Sequence, residues 1–243
     1  MNSKFGLTGV SMLFVLAMLA ACGGGGGGGG AATLAPLNDT GQTLCYDNTV
    51  AIACPASTFP RQDALFGRDA QATAGTLVKT GAGAAGFDYT KVCMNGTLNC
   101  IGAASNAAAP AAGEWACTKD NRTNLIWSLQ AGNDTWDNAA SAANALVAPN
   151  HFSNANAAAR CGFSTGWRLP TRRELLSIVH SGTSSPSIDT GNFPGTSVSS
   201  YWSSDTYAPS TANAWYVTIF FGGNTFADFK TISSAVRLVR SGQ

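Results

Sequence analysis

The chain of 243 residues has a formal net charge of +1, with 45% hydrophobic and only 11% charged residues. Nucleic-acid binding depends on many Lys and Arg side chains that neutralise phosphates, so this balance argues against a nucleic-acid partner. The length suffices for one large or two small domains.

The N-terminus has the pattern of an export signal. Lys4 precedes an apolar stretch from Val10 to Ala21, which is too short to span a bilayer and is typical of a signal peptide. The stretch ends in Leu19-Ala20-Ala21-Cys22, which resembles a bacterial lipobox. This resemblance implies cleavage of residues 1–21 and acylation of Cys22, with palmitate among the acyl chains. The alternative is an ordinary cleaved signal peptide followed by a chance Cys.

An unbroken glycine run, Gly23 to Gly30, follows this Cys. Glycine has no side chain to bury and is costly to order, so we expect residues 22–33 to be a lipidated Cys and a flexible tether. No strand signal precedes the run and no Lys-Ser/Thr follows it, which argues against a phosphate-binding loop. Gly24 is not Asp, which by resemblance to Gram-negative lipoproteins favours the outer membrane. The expected location is therefore the bacterial cell envelope.

The remaining cysteines predict disulfides. The chain has seven Cys, and setting Cys22 aside leaves an even six, as expected in an oxidising compartment. The two closely spaced pairs enclose short segments with turn signals, and the third pair is assigned partly by elimination. A zinc site is the alternative, but there is no Cys-x-x-Cys and both His are distant in sequence, so we expect no metal and no cofactor. The favoured pairings are Cys45–Cys54, Cys93–Cys100 and Cys117–Cys161.

Secondary-structure signals are weak in the first half of the chain. We expect residues 34–113 to form a loop-rich N-terminal module in which Phe87, Tyr89 and Val92 supply apolar anchors. The Ala-rich stretch from Ala103 to Gly113 predicts a surface loop.

The pattern becomes clearer in residues 114–243, which we interpret as the principal domain. Leu125 to Trp127 predicts a short apolar strand. Thr135 is a candidate N-cap for a helix that continues to about Val147 along an apolar stripe.

A second helix and a series of strands are predicted downstream. Thr171 and Glu174 have the spacing of a capping box, and Gly182 is expected to end the helix that they begin. The Gly222-Gly223-Asn224 segment predicts a hairpin turn, and the last strand is expected to be central. The predicted strands are Tyr201–Ser204, Ala214–Phe221, Thr225–Lys230 and Ala235–Arg240.

Six short segments in this domain occur in an order that is specific to one family. Together they resemble the Lcl C-terminal domain family, whose namesake is a collagen-like bacterial adhesin. The small segment from Cys45 to Pro55 also resembles a module that often precedes such domains. The six segments are Asp120–Trp127, Thr135–Ala139, Gly166–Leu175, Tyr201–Asp205, Ala214–Val217 and Val236–Arg240.

Three of these motifs are further similar to the formylglycine-generating, sulfatase-modifying group. That resemblance implies an α+β fold: a C-type lectin-like domain with two helices and short twisted antiparallel strands, preceded here by a small disulfide-bridged module. It does not imply the chemistry, because the formylglycine enzymes need a pair of reactive Cys near the C-terminus and no Cys follows Cys161. The sequence signatures of calcium-dependent lectins are also missing.

We identify no catalytic residues and predict that the protein is not an enzyme. His180 is expected at the end of the second helix, where a cation suits the helix dipole, and His151 is expected in a loop. Positive charge in the first helical turn opposes the dipole, which hints at a binding role for Arg172 and Arg173. The candidate ligand-binding residues are Arg168, Arg172, Arg173, Tyr201, Asp205 and Tyr207.

The sequence therefore predicts an exported lipoprotein, anchored to the membrane by its N-terminal lipid, that binds a glycan or a surface protein. This expectation depends on the adhesin namesake and is an analogy between folds. The first alternative is a structural or assembly component of the envelope without a soluble ligand. The second is a degenerate enzyme of the formylglycine-generating type.

Overall fold

The computed structural model describes residues 38–55, 59–140, 155–220 and 222–242. The predicted signal peptide, the lipid site at Cys22 and the glycine tether lie outside the described residues, and so does His151. Residues Ala35–Gln243 form one compact unit. Within the described residues, no helix has the length and apolar character needed to cross a bilayer.

One large sheet forms the body of the protein. The first two strands pair as a small antiparallel hairpin, and the other seven form a single mixed sheet. The strands in the described residues are β1 (Cys45–Tyr46), β2 (Ala51–Ile52), β3 (Tyr89–Cys93), β4 (Trp115–Asp120), β5 (Leu125–Thr135), β6 (Ser200–Thr206), β7 (Asn213–Thr218), β8 (Thr225–Phe229) and β9 (Ser233–Ser241). The order in the sheet is β3-β4-β5-β9-β6-β7-β8. Neighbouring strands are antiparallel except β6 and β9, which are parallel.

The helices in the described residues are short, which corrects the expected fold. The three helices span seven, five and five of the described residues, whereas seven strands join in one sheet. The expected α+β fold, a C-type lectin-like domain with two helices and short antiparallel strands, is therefore wrong. The chain is mostly β, with long strands β5 and β9. The helices are α1 (Gly67–Thr73), α2 (Trp136–Ala140) and α3 (Arg172–Leu176), with 3-10 helices at Asp63–Leu65 and Arg160–Gly162.

Both predicted helix starts are confirmed. The Thr135 hydroxyl accepts a hydrogen bond from the backbone N–H of Asn138 at 3.3 Å, as an N-cap does. At the start of α3, the Thr171 hydroxyl accepts from the Glu174 N–H at 3.2 Å and the Glu174 carboxylate accepts from the Thr171 N–H at 2.7 Å. This closed capping box satisfies two backbone N–H groups at the start of α3.

The predicted helix ends are not confirmed. α3 stops at Leu176, and Ser177 is its C-cap, so the predicted end at Gly182 is wrong. Beyond the helix, the His180 N–H donates to the carbonyl of Ser187 at 3.0 Å. The predicted continuation of the first helix to Val147 lies outside the described residues.

The last strand occupies the centre of the sheet, as predicted. β9 lies between β5 and β6, and side chains on both of its faces are buried. Val236 and Leu238 join an apolar cluster on one face of the sheet, and Val239 joins a second cluster on the other. Neighbouring residues of a strand point to opposite faces, so the two clusters form two core layers separated by the sheet.

All three predicted disulfides are present: Cys45–Cys54, Cys93–Cys100 and Cys117–Cys161. The last joins β4 to the second 3-10 helix. The predicted anchors Phe87, Tyr89 and Val92 are also confirmed, each being about 1% exposed. Because β3 pairs with β4, the sheet extends into the region expected to be loop-rich.

The first described residues are bonded firmly to the sheet domain. The Asn38 amide donates to the Asp120 carboxylate at 2.6 Å and to the Ser177 carbonyl at 3.0 Å. Two residues later, the Thr40 carbonyl accepts from the Ser181 N–H at 2.7 Å. The chain therefore enters the compact unit beside the end of α3 and the β4–β5 turn.

Candidate functional site

The predicted binding residues converge on the start of α3, next to β6 and β7. The guanidinium of Arg172 lies 4.4 Å from the ring centre of Trp215 on β7. The ring of Tyr207 meets Trp215 edge-on, with centres 5.0 Å apart. The Asp205 carboxylate accepts from the Arg172 N–H at 2.7 Å. We call these four residues, Arg172, Asp205, Tyr207 and Trp215, the Trp215 patch.

The Trp215 patch combines several ways of holding a ligand. Tyr207 and Trp215 are half-buried and partly open to solvent, so they keep aromatic surface available. Arg172 is a donor with a fixed position, because its guanidinium stacks on a ring. Asp205 is an acceptor placed by the first turn of α3. The arrangement suits a ligand with alternating apolar faces and hydroxyl groups.

Arg168 has a different role from the rest of the predicted set. Its guanidinium forms a two-pronged ion pair with Glu174, at 2.8 Å and 2.5 Å, and also donates to the main-chain carbonyl of Leu169 at 3.0 Å. Burial alone would raise the pKa of Glu174, but the hydrogen bonds from Arg168 and Thr171 lower it below the ordinary value. The bond to Glu174 also raises the pKa of Arg168. Arg168 therefore holds the capping box in place.

Tyr201 and Arg173 do not join the patch. Tyr201 was expected to be exposed, but it is 1% exposed and donates its hydroxyl to the carbonyl of Ser197 at 3.1 Å. Its ring packs near the buried Arg237. Arg173 is exposed and lines a shallow pocket with Asn38, away from Trp215.

Sequence reasoning missed Trp215 as a site residue, because tryptophans in a strand usually belong to the core. The available signal was the unfavourable charge of Arg172 at the start of a helix. The structure explains that charge, because the guanidinium gains a cation–π contact with Trp215 that offsets the opposing dipole.

A cluster of carboxylates also lies elsewhere in the described residues, where none was expected. Ligand atoms of Asp39, Asp63 and Asp69 lie within 4.8 Å of one another. Two of the three are engaged by backbone donors: Asp39 accepts from the Arg68 N–H at 2.6 Å, and Asp69 accepts from the Gly86 N–H at 2.6 Å. Asp63 accepts from the Thr40 hydroxyl. These bonds give the cluster a structural role in holding α1.

A comparison with protein families matches residues 116–240 to the Lcl C-terminal domain, which is about half of the chain. The chain belongs to the Lcl C-terminal domain family. No curated protein matches it. The matched segment contains the whole Trp215 patch and runs from β4 to β9, whereas β3 lies before it. The Lcl C-terminal domain of this chain therefore completes its sheet with a strand from outside the matched segment.

The ion pair that supports the patch can be tested in the Lcl C-terminal domain. Glu174→Gln keeps the capping box, because glutamine also accepts at that position, but it removes the ion pair with Arg168. We expect a loss of about 1 kcal/mol in the free energy of unfolding, since Arg168 is partly exposed. Urea unfolding measures it. Arg173→Gln is the control for the removal of one charge from the same helix. An equal loss of unfolding free energy in both variants would contradict a stabilising role for the Arg168–Glu174 ion pair.

His180 makes the stability of the domain depend on pH. It is 6% exposed, and its Nδ1 accepts from the Gly182 N–H at 3.2 Å while its ring lies 5.5 Å from Phe87. Burial lowers its pKa, against the attraction of Asp189 and Asp69. Folded His180 therefore binds a proton less readily than the unfolded chain. Its contribution is complete above the ordinary pKa of about 6.5 and declines as the pH falls below it.

We expect His180→Gln to flatten this decline between pH 7 and pH 4.5. Burial raises the pKa of Asp69 and of Asp120, and both groups therefore increase the stability of the fold as the pH falls. Because this effect opposes that of His180, the test is the difference between the wild type and the variant. Urea midpoints measured across the pH range give that difference. Parallel curves for the two proteins would refute the role of His180.

Proposed function

We propose that this chain is an exported, lipid-anchored, non-enzymatic adhesion protein that binds a ligand through the Trp215 patch. The favoured ligand is a glycan, and a surface protein is the other candidate. The observation that carries the proposal is the stacking of Arg172 on Trp215, with Tyr207 and Asp205 beside them.

The chemistry of the patch supports a sugar ligand. The C–H faces of a sugar ring pack on aromatic side chains, and its hydroxyl groups need both donors and acceptors. Tyr207 and Trp215 offer aromatic surface, while Arg172 offers a hydrogen-bond donor and Asp205 an acceptor. The capping box and the Arg168–Glu174 ion pair stabilise the start of α3, where Arg172 lies, which lowers the entropy cost of binding.

The proposed location is supported by the N-terminal sequence and by the disulfides. Cys22 ends the apolar region of a signal-like segment, and a glycine run follows it. The described residues contain three disulfides, which persist in oxidising compartments such as the bacterial periplasm and cell surface. The resemblance to lipoproteins of Gram-negative bacteria supports the outer membrane as the anchoring site.

A glycan-array screen of the mature chain tests the proposal, followed by titration of the best glycan. We expect Tyr207→Ala and Arg172→Ala each to weaken binding by tenfold or more. Arg173→Ala is the matched control, because it removes the same charge one residue away without touching Trp215, and it should bind as the wild type does. Absence of binding to every glycan and candidate surface protein would overturn the proposal, and so would equal losses in all three variants.

A structural role in an envelope assembly is the second candidate. β8 is an edge strand of the sheet, and it exposes two large apolar side chains, Phe226 at 52% and Phe229 at 56%. Exposed apolar edge strands can pair with another chain. Cross-linking in intact cells followed by purification would test it: a fixed partner lost in Phe229→Lys, together with no ligand in the glycan screen, would favour this role.

A further inference from the structure

The small hairpin of the N-terminal module carries exposed apolar side chains. Leu44 is 51% exposed, Tyr46 36%, Val50 57% and Phe59 39%. Cys45 is fully buried, so the alternation of strand β1 directs its neighbours Leu44 and Tyr46 outward. We call Leu44, Tyr46, Val50 and Phe59 the hairpin surface.

Hydrogen bonds and a disulfide hold the hairpin surface in shape. The Gln62 amide accepts from the Tyr46 N–H at 2.7 Å and donates to the Tyr46 carbonyl at 2.6 Å and to the Phe59 carbonyl at 3.3 Å. Phe59 therefore lies beside Tyr46. The Cys45–Cys54 disulfide closes the base of the hairpin. Because these apolar groups are held outward by a rigid support, they form a preformed contact surface.

The position of the hairpin along the chain indicates what it meets. Asn38, where the chain enters the compact unit, follows Cys22 by sixteen residues. Such a segment reaches at most about 55 Å when fully extended. A lipid on Cys22 would thus keep the entry point, and the residues that follow it, within this distance of the bilayer.

We propose that the hairpin surface rests on the lipid bilayer that anchors the chain and so orients the Lcl C-terminal domain. This inference depends on the lipid anchor of the proposed function. Tyrosine and phenylalanine suit the boundary between headgroups and acyl chains, where burial of a few apolar side chains adds to the hold of the lipid.

The charge at the tip of the hairpin limits the depth of contact. The Asp47 carboxylate accepts from the N–H groups of Thr49 and Val50, at 2.7 Å and 2.8 Å. These backbone hydrogen bonds lower the pKa of Asp47 below its ordinary value, so this side chain stays charged. Burying a charge in hydrocarbon is costly, which places the hairpin surface at headgroup depth.

Quenching of an added tryptophan by brominated lipids tests this contact. In a chain that begins at Cys22 and is expressed without acylation, Cys22 is the one Cys outside the three disulfides, so its thiol can be coupled to a maleimide lipid in vesicles of phosphatidylethanolamine and phosphatidylglycerol. We expect the emission added by Val50→Trp to be quenched at least twice as strongly as that added by Ile101→Trp. Ile101 is fully exposed and follows Cys100, which is bonded to the end of β3 remote from Asp120 and Asn38.

Equal quenching of the two added tryptophans would overturn the inference. A concentration-dependent blue shift of Val50→Trp without lipid quenching would assign the surface to a second copy of the chain and would overturn it too. Chemical coupling makes the result independent of native acylation. Mass spectrometry of Cys22 in the expressed lipoprotein tests that acylation separately, so a failure of the lipid anchor and a failure of the hairpin contact are distinguishable.

Discussion

Replacing Cys117 and Cys161 together with alanine is expected to lower the free energy of unfolding by about 4 kcal/mol. The disulfide joins residues 44 apart in the chain, and a cross-link that closes a long loop restricts the unfolded chain most. Both Cys are fully buried in one core layer, so the loss of packing adds to the loss of the cross-link. Guanidinium unfolding of the oxidised proteins measures the change.

The matched control is the double alanine variant of Cys45 and Cys54. This bridge joins residues only nine apart in the chain, for which the same relation gives about 2.6 kcal/mol, and Cys54 is exposed. We expect the hairpin to loosen while the large sheet survives. If this variant proves as unstable as the variant that lacks the Cys117–Cys161 bridge, loop length does not determine the contribution of these disulfides.

Trp202→Ala is expected to cost about 3–5 kcal/mol, as is usual for a large aromatic side chain in a core. Trp202 is fully buried in β6, and its indole N–H donates to the carbonyl of Asp134 at 3.3 Å. Its ring also meets Tyr216 edge-on, 5.8 Å away. The change therefore leaves a cavity and removes a link between β6 and β5. Thermal and urea unfolding both report it.

Phe226→Ala serves as the comparison, because Phe226 is 52% exposed on the edge strand β8. We expect this substitution to change the free energy of unfolding by less than about 1 kcal/mol. Trp202→Phe should fall between the two, since it keeps most of the volume and loses the hydrogen bond. A cost for Trp202→Ala similar to that of Phe226→Ala would mean that the core layer around β6 collapses to fill the space.

Local features of the fold were predictable from sequence, and the way they assemble was not. The Thr171–Glu174 capping box depends on two residues at fixed spacing, and the turn after β7 on Gly222-Gly223-Asn224; both are confirmed. The pairing of strands depends on contacts between distant residues. Similarity in a few short motifs therefore suggested two helices on short antiparallel strands, whereas seven strands form one wide mixed sheet with β5 and β9 near its centre.

The same limit applies to the candidate site. Arg172 was found because its charge is unfavourable at a helix start, Asp205 because it follows a family motif, and Tyr207 because sugar rings stack on exposed aromatic side chains. Tyr201 was wrongly placed on the surface, because alternation in β6 shows that two faces exist but does not show that both are covered. Trp215 was missed because its contact with Arg172 joins residues more than forty positions apart.

The central place of β9 has a consequence for the order in which the molecule can be made. The strand in the middle of the sheet is the last one in the sequence, so β5 and β6 lack their shared neighbour until residues 233–241 have been synthesised. A chain still attached to the ribosome therefore cannot close its sheet until β9 has emerged. This arrangement delays closure of the sheet to the end of synthesis.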